Sequence, residues 1–150
     1  MRAFIRWILV ASAVLPPGLA GQDSAAGANQ WVESKLTPGV SVMTLLGSRT
    51  APGPYVYRVK ARNGVRIPPH WHTQTMHLTV LSGRFVMAMG QSLDSIQAKS
   101  YDPGSFVVLP AGMRHIEWFE GETVIHVDTQ GPLETVFVNP ADDPRNRSQP

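Results

Sequence analysis

His70-Trp71-His72 sets two imidazoles two residues apart, and a third, His115, follows a Pro110-Ala111-Gly112 turn. On an extended strand, side chains at i and i+2 leave the same face. His70 and His72 can therefore lean toward one metal ion, with each bond about 2.0–2.1 Å. No further residue of that strand can close the coordination sphere, so a third imidazole must arrive from another strand, and the turn before His115 suits that delivery. The chain has 5 histidines, His70, His72, His77, His115 and His126, all in its central and later parts. His77 follows Met76 directly, and strand alternation turns it to the outer face.

The frame around these residues is more specific than the histidines alone. Gly64 is followed after five residues by His70-x-His72 and later by Gly83; Gly104 is followed after five residues by Pro110-x-Gly112, two more residues and His115. The two stretches resemble the two motifs of the cupin superfamily, and the resemblance spans roughly Leu36 to Arg145. It implies an all-β fold, a cupin-like antiparallel β-barrel of the double-stranded β-helix or jelly-roll type. It also implies one divalent metal ion (Fe, Mn, Zn, Ni or Cu) held by His70, His72 and His115. The chain departs from the family pattern at Met76, where cupins usually carry a metal-binding glutamate, and at Phe119, where Asn is frequent.

Losing that glutamate leaves three neutral ligands and the metal's full formal charge, which favours an anionic bidentate ligand. Gln74, Met76, Glu117 and His126 are the candidates for an extra ligand or pocket position. Glu117 lies two residues beyond His115 and should share its face; the alternative is pairing with an arginine at the rim. The apolar neighbours of His126 suggest burial and a supporting bond to the site. Met76 could offer a soft thioether or simply fill the wall, and Gln74 a weak amide oxygen. Phe85, Met87, Phe106 and Phe119 are expected to form the pocket wall.

The positioning elements read as short strands. Tyr55–Lys60, Leu78–Leu81, Arg84–Met89, Ser105–Leu109, Glu122–Val127 and Thr135–Val138 are rich in β-branched or aromatic residues and bounded by Gly, Pro or Asn. Gly83 and Gly104 are expected at strand reversals, and only Leu93–Lys99 could make a helical turn. Many short strands at close spacing argue for a sandwich or barrel.

A basic start with Arg2 and Arg6, an apolar run to Leu15 and a small-residue exit near Ala20 have the three parts of a secretory signal. The run is shorter than the ~20 residues a membrane span needs. The expected organisation is a signal peptide over 1–20, a flexible leader over 21–35, the barrel over 36–140 and a disordered tail over 141–150. The protein is then periplasmic or secreted, with no membrane attachment once the signal is removed. Of 13 basic residues, Arg2 and Arg6 are the whole excess over the 11 acidic ones, so no basic stripe for nucleic acid remains. With 0 cysteines the fold rests on its core rather than on disulfides.

These features point to an exported metal-binding cupin acting as a mononuclear metal-dependent, dioxygenase-like oxidoreductase on a small chelating organic substrate. The oxygenase part comes from the resemblance, since some cupins with three-histidine sites are dioxygenases. A non-catalytic periplasmic binding or sensing protein is the alternative, favoured if no general base faces the metal. A metal-dependent isomerase or decarboxylase is a further alternative that needs such a base. The partner is a small molecule, and barrels of this kind often pair as homodimers through edge strands.

Overall fold

Alternation of inward and outward side chains governs the architecture of the computed structural model, which describes residues 29–89 and 98–146. The strands are β1 (Val32–Glu33), β2 (Val40–Leu46), β3 (Gly53–Ala61), β4 (Arg66–His72), β5 (Met76–Met89), β6 (Lys99–Tyr101), β7 (Phe106–Leu109), β8 (His115–Gly131) and β9 (Thr135–Phe137). All strand pairings are antiparallel. One path runs β1-β2-β3-β8-β4-β9, and β5 joins β6, β7 and β8 off that path. The chain is all-β, and the sheet curls into a cupin-like antiparallel barrel.

The spine is the β5–β8 ribbon. β3 pairs with the Thr123–Gly131 half of β8, whereas β4 pairs with its start, from His115 to Trp118. β5 runs along both halves and shifts register twice between Val80 and Arg84. The expected reversal at Gly83 is therefore a bulge inside one continuous strand. Gly83 has φ +72°, and a Cβ there would lie 2.4 Å from Thr123 Oγ1 and 2.6 Å from Thr123 Cα. Close backbone approach, rather than a chain reversal, is what requires glycine here. Gly104 does sit in a turn, between β6 and β7, with Ser105 N–H donating to the Asp102 carbonyl at 3.0 Å.

On β8 the odd positions His115, Phe119, Thr123, Ile125, Val127 and Thr129 are buried. On β5 Met76, Leu78 and Val80 face inward before the bulge, and Phe85 and Met87 after it. Phe85 stacks between Tyr101 and Phe119, with ring centroids 5.9 and 5.7 Å away. Phe85 is the register partner of both residues, and burying such a ring contributes roughly 1.5–3 kcal/mol, so these pairs fasten β6, β5 and β8 side by side just beyond the bulge.

Two boundary expectations need correction. Val32 and Glu33, assigned to the flexible leader, form β1 against β2, and the Glu33 carboxylate accepts from Gly39 N–H at 2.8 Å. The described part of the tail is also ordered, with 3-10 turns at Pro140–Asp142 and Pro144–Asn146. Buried Asp143 pairs with Arg145 at 2.6 Å, and Arg145 also donates to the Thr135 carbonyl at 2.9 Å. Two charged groups thereby fasten a segment that has too few apolar residues to pack. The signal segment over 1–20, the leader up to residue 28 and nearly all of the helical turn at Leu93–Lys99 lie outside the described residues; Lys99 itself opens β6.

Candidate metal centre

The three imidazoles converge because of the strand register. His70 on β4 lies directly opposite His115 on β8, and His72 follows two residues on. The Pro110–Gly112 turn docks on the end of β4: Gly112 N–H donates to the His72 carbonyl at 2.9 Å, and Met113 N–H closes the turn on Pro110 at 3.1 Å. Pro68 and Pro69 fall where β4 shifts register between Ile67 and His70, a place where a missing donor is tolerated. Ring centroids are 4.2 Å apart for His70–His115, 4.9 Å for His70–His72 and 5.4 Å for His72–His115.

The orientation of each ring is fixed by the backbone. His70 Nδ1 lies 2.8 Å from the Pro68 carbonyl and His115 Nδ1 lies 2.9 Å from the Met113 carbonyl. In both cases the partner is the residue two positions earlier, so Nδ1 carries the proton and Nε2 keeps its lone pair. His72 Nδ1 faces Thr135 Oγ1 at 3.3 Å, and a backbone bond to Glu134 supports the same ring. One nitrogen from each histidine lies within 4.8 Å of the other two. His115 Nε2 is buried without a hydrogen-bond partner.

Burial also keeps the rings neutral. It pushes His70 down to about 3, and it holds His72 and His115 below the usual imidazole value. Neutral, pre-oriented imidazoles with an orphaned inward nitrogen are what a borderline divalent ion needs. The residues present therefore fit one metal ion held by His70, His72 and His115.

Glu117 faces the same cavity. Its Oε2 lies 3.8 Å from His115 Nε2, its side chain is 13% exposed, and burial raises its carboxyl to about 7. Among the described residues no arginine pairs with it. The cavity has a volume of about 90 Å³ and a mostly apolar wall that includes Met76, Leu78, Phe119 and Phe137. That is below the several hundred Å³ of drug-sized pockets, so the space suits only a small molecule.

Several expected positions fall elsewhere. His126 points to the outer face and pairs with Asp128 at 3.3 Å; the odd-position rule that brings His115 inward turns every even residue from 124 to 130 out. Gln74 donates to the Pro132 carbonyl at 3.2 Å and lines an outer cleft beside His77. Phe106 is 63% exposed and stacks on outward-facing His77 at 6.1 Å, because Val107 and Leu109 take the inward positions of β7. Phe85 and Met87 belong to the core rather than to the cavity lining. Phe119 lines the cavity as expected, and Met76 is buried in its wall. Arg49, Tyr57 and Thr135 also line it and carry no sequence signal near the motifs.

Residues 24–134 match the family model described as the ChrR Cupin-like domain. No curated protein matches the sequence. Among solved structures, an oxalate oxidase is 23% identical with a TM-score of 0.56, covering 87% of this chain and 75% of its own. The salicylate 1,2-dioxygenase of Pseudoaminobacter salicylatoxidans, in complex with gentisate, is 13% identical with a TM-score of 0.56 and covers 68% of this chain but 30% of its own. A cupin superfamily protein of Desulfitobacterium hafniense is 16% identical with a TM-score of 0.51, covering 66% and 83%. At these identities the likeness is one of fold.

Proposed function

The chain belongs to the ChrR cupin-like domain family, and from that premise we propose that it is a mononuclear metal-dependent oxygenase acting on a small chelating organic substrate. The observation that carries the metal reading is the convergence of three neutral imidazoles on one point, with His115 Nε2 buried and unpartnered there. A bound divalent ion would supply Lewis acidity and, if redox-active, reactivity toward O2. The protein's own share is orientation and exclusion. Pro68, Met113 and Glu134 fix the rings through their backbones. Apolar side chains keep water away, and Glu117 holds a proton at its carboxyl near neutral pH.

Glu117 also bears on the rival readings. A binding or sensing role was favoured by the lack of a base near the metal, and an inward carboxyl raised to about 7 removes that argument. The same group suits a metal-dependent isomerase or decarboxylase, which needs one acid or base beside the metal. An oxalate oxidase and a gentisate-bound dioxygenase are among the proteins of like fold, and on that analogy of fold alone the oxygenase is put first. We also propose export, on the Arg2/Arg6 start and the apolar run before Ala20; N-terminal sequencing of protein from the periplasm should read a start within a few residues of Gly21.

Metal analysis of protein purified without added metal tests the centre. Replacing His70, His72 or His115 by Ala should lower occupancy by about tenfold or more. His77→Ala should leave it nearly unchanged, since that ring stacks on Phe106 outside. Equal losses for His77 and His72 would refute the ligand set. O2 uptake on adding candidate substrates then separates an oxygenase from isomerase chemistry, and tight binding without turnover assigns the binding role.

A further inference from the structure

Arg49 lies in the connection between β2 and β3, far in sequence from both motifs. Its Nη2 donates to Thr135 Oγ1 at 3.1 Å, and that hydroxyl lies 3.3 Å from His72 Nδ1. The guanidinium thus stands two hydrogen-bond lengths from a ring of the metal centre. Among the described residues no carboxylate lies within ion-pair distance of it. A guanidinium has five N–H donors in a planar fork, and one hydroxyl occupies only part of that capacity.

Arg49 lies where the cavity meets an open groove. Ser34, Leu36, Val42 and Arg49 line both the cavity at the histidines and an open groove of about 540 Å³ along Gln30–Leu36. Arg49 is thus shared by the groove and by the cavity that holds His70 and His72. The charge of the site points the same way. Glu117 is the one carboxylate among the residues that line the cavity, and it lies beside His115, 3.8 Å from Nε2, rather than beside Arg49. The rest of the wall is largely apolar, so among the described residues Arg49 has no counter-ion there.

We propose that Arg49 anchors the carboxylate of the site's ligand, which makes that ligand a short-chain organic acid carrying a second donor, hydroxyl or oxo, on the carbon next to the carboxylate. The inference rests on the metal reading above and deepens it. One carboxylate oxygen accepts from Arg49, the other oxygen and the second donor together face the metal position at the histidines, and a short apolar body lies against Phe119 and Phe137. Selection for acids over neutral analogues then comes from Arg49, and metal retention from the histidines.

Calorimetric titration separates the two roles. Wild type, Arg49→Gln and Arg49→Lys are titrated with Zn(II), a redox-silent probe, and then with 2-oxobutanoate and its neutral amide. The expected result is equal Zn(II) affinity in all three and a loss of at least about tenfold for the acid in Arg49→Gln. Arg49→Lys should lose less, and the amide should bind all three alike. Equal acid affinity in wild type and Arg49→Gln overturns the proposal, as does the absence of acid binding to wild type at millimolar concentration. A fall in Zn(II) affinity that matches the fall for the acid also overturns it, because Arg49 would then only support His72 through Thr135. If wild type takes up no Zn(II), the metal reading fails by itself, and the same acid titration on metal-free protein still decides the anchor. Where Arg49→Gln does not fold, Arg49→Lys decides: a reduced preference for acid over amide supports the anchor, and an unchanged preference overturns it.

Discussion

Acidifying the metal-free protein titrates four buried groups at the site, three in one sense and one in the other. His70, His72 and His115 are held below their usual value of 6.5, chiefly by burial. Below about pH 6.5 the unfolded chain binds their protons and the folded chain does not, so stability is lost as pH falls. Glu117 has the opposite sign. Its folded value of about 7 exceeds the ordinary 4.5, so the stability it contributes at low pH is lost as pH rises through 7. Between about pH 4.5 and 6.5 the unfolded state therefore gains at most three protons from the histidines and lacks one from Glu117, a net of at most two. Each proton is worth roughly 1.4 kcal/mol per pH unit, which bounds the loss at about 2.7 kcal/mol per unit on acidification. Over two units that approaches the whole stability of an ordinary domain, ~5–15 kcal/mol. Urea unfolding at stepped pH, with chelator present, should show a midpoint that is nearly flat above about pH 7 and collapses below 6.5. Saturating Zn(II) at pH 7.5 should raise the midpoint, and that gain should shrink as protons compete for the imidazoles. A midpoint that stays level from pH 7 to 5 would mean the three rings are not buried neutral, and the reasoning about the centre would fall with it.

Gly83→Ala should destabilise the protein by about 2–4 kcal/mol, since its Cβ would meet Thr123 Cα at 2.6 Å and its φ is +72°. Gly64→Ala, with φ +78° and nothing within 4 Å, should cost only the backbone strain, roughly 1 kcal/mol; urea midpoints of the pair test whether the ribbon's close approach matters. Met76→Glu buries a new carboxylate in the cavity wall and should lower metal-free stability by several kcal/mol. The same change should raise affinity for Mn(II) or Fe(II) by about tenfold or more, because hard ions prefer oxygen ligands. Thermal melts with and without metal read both effects, and no change in either would place position 76 out of reach of the centre.

The three-histidine cluster was legible because a two-residue period and a Pro-x-Gly turn are local signals that survive tertiary packing. The cupin barrel was legible through the same motifs, which carry the glycines and turns of its strands. What failed was parity carried across a bulge or guessed from residue type. Phe106 and His126 were placed inward by their apolar company, whereas counting in twos from Leu109 and His115 sends both outward. The joining of two short strands into β5 at Gly83 was not legible, because the residue that forces it, Thr123, lies on another strand. Arg49 was invisible for a similar reason: its partner Thr135 is 86 residues away, and a loop arginine has no pattern to mark it.

The thioether at Met76 and the inward turn of Glu117 together set the acid–base character of the site. In the family pattern the carboxylate follows the histidine pair, whereas here β5 contributes a thioether at that place and β8 contributes both His115 and, two residues on, a carboxyl. One strand thus sets an imidazole and an acid in a fixed relation, and their 3.8 Å separation follows from strand alternation. A carboxyl among the ligands would be ionised and would cancel part of the metal's charge. A carboxyl beside the ligands, raised to about 7 by burial, keeps a proton that it can give or take at neutral pH. A metal held without that carboxylate would keep more positive charge, and Glu117 sets an acid–base group next to it, which is the combination that an anionic substrate held by Arg49 would use.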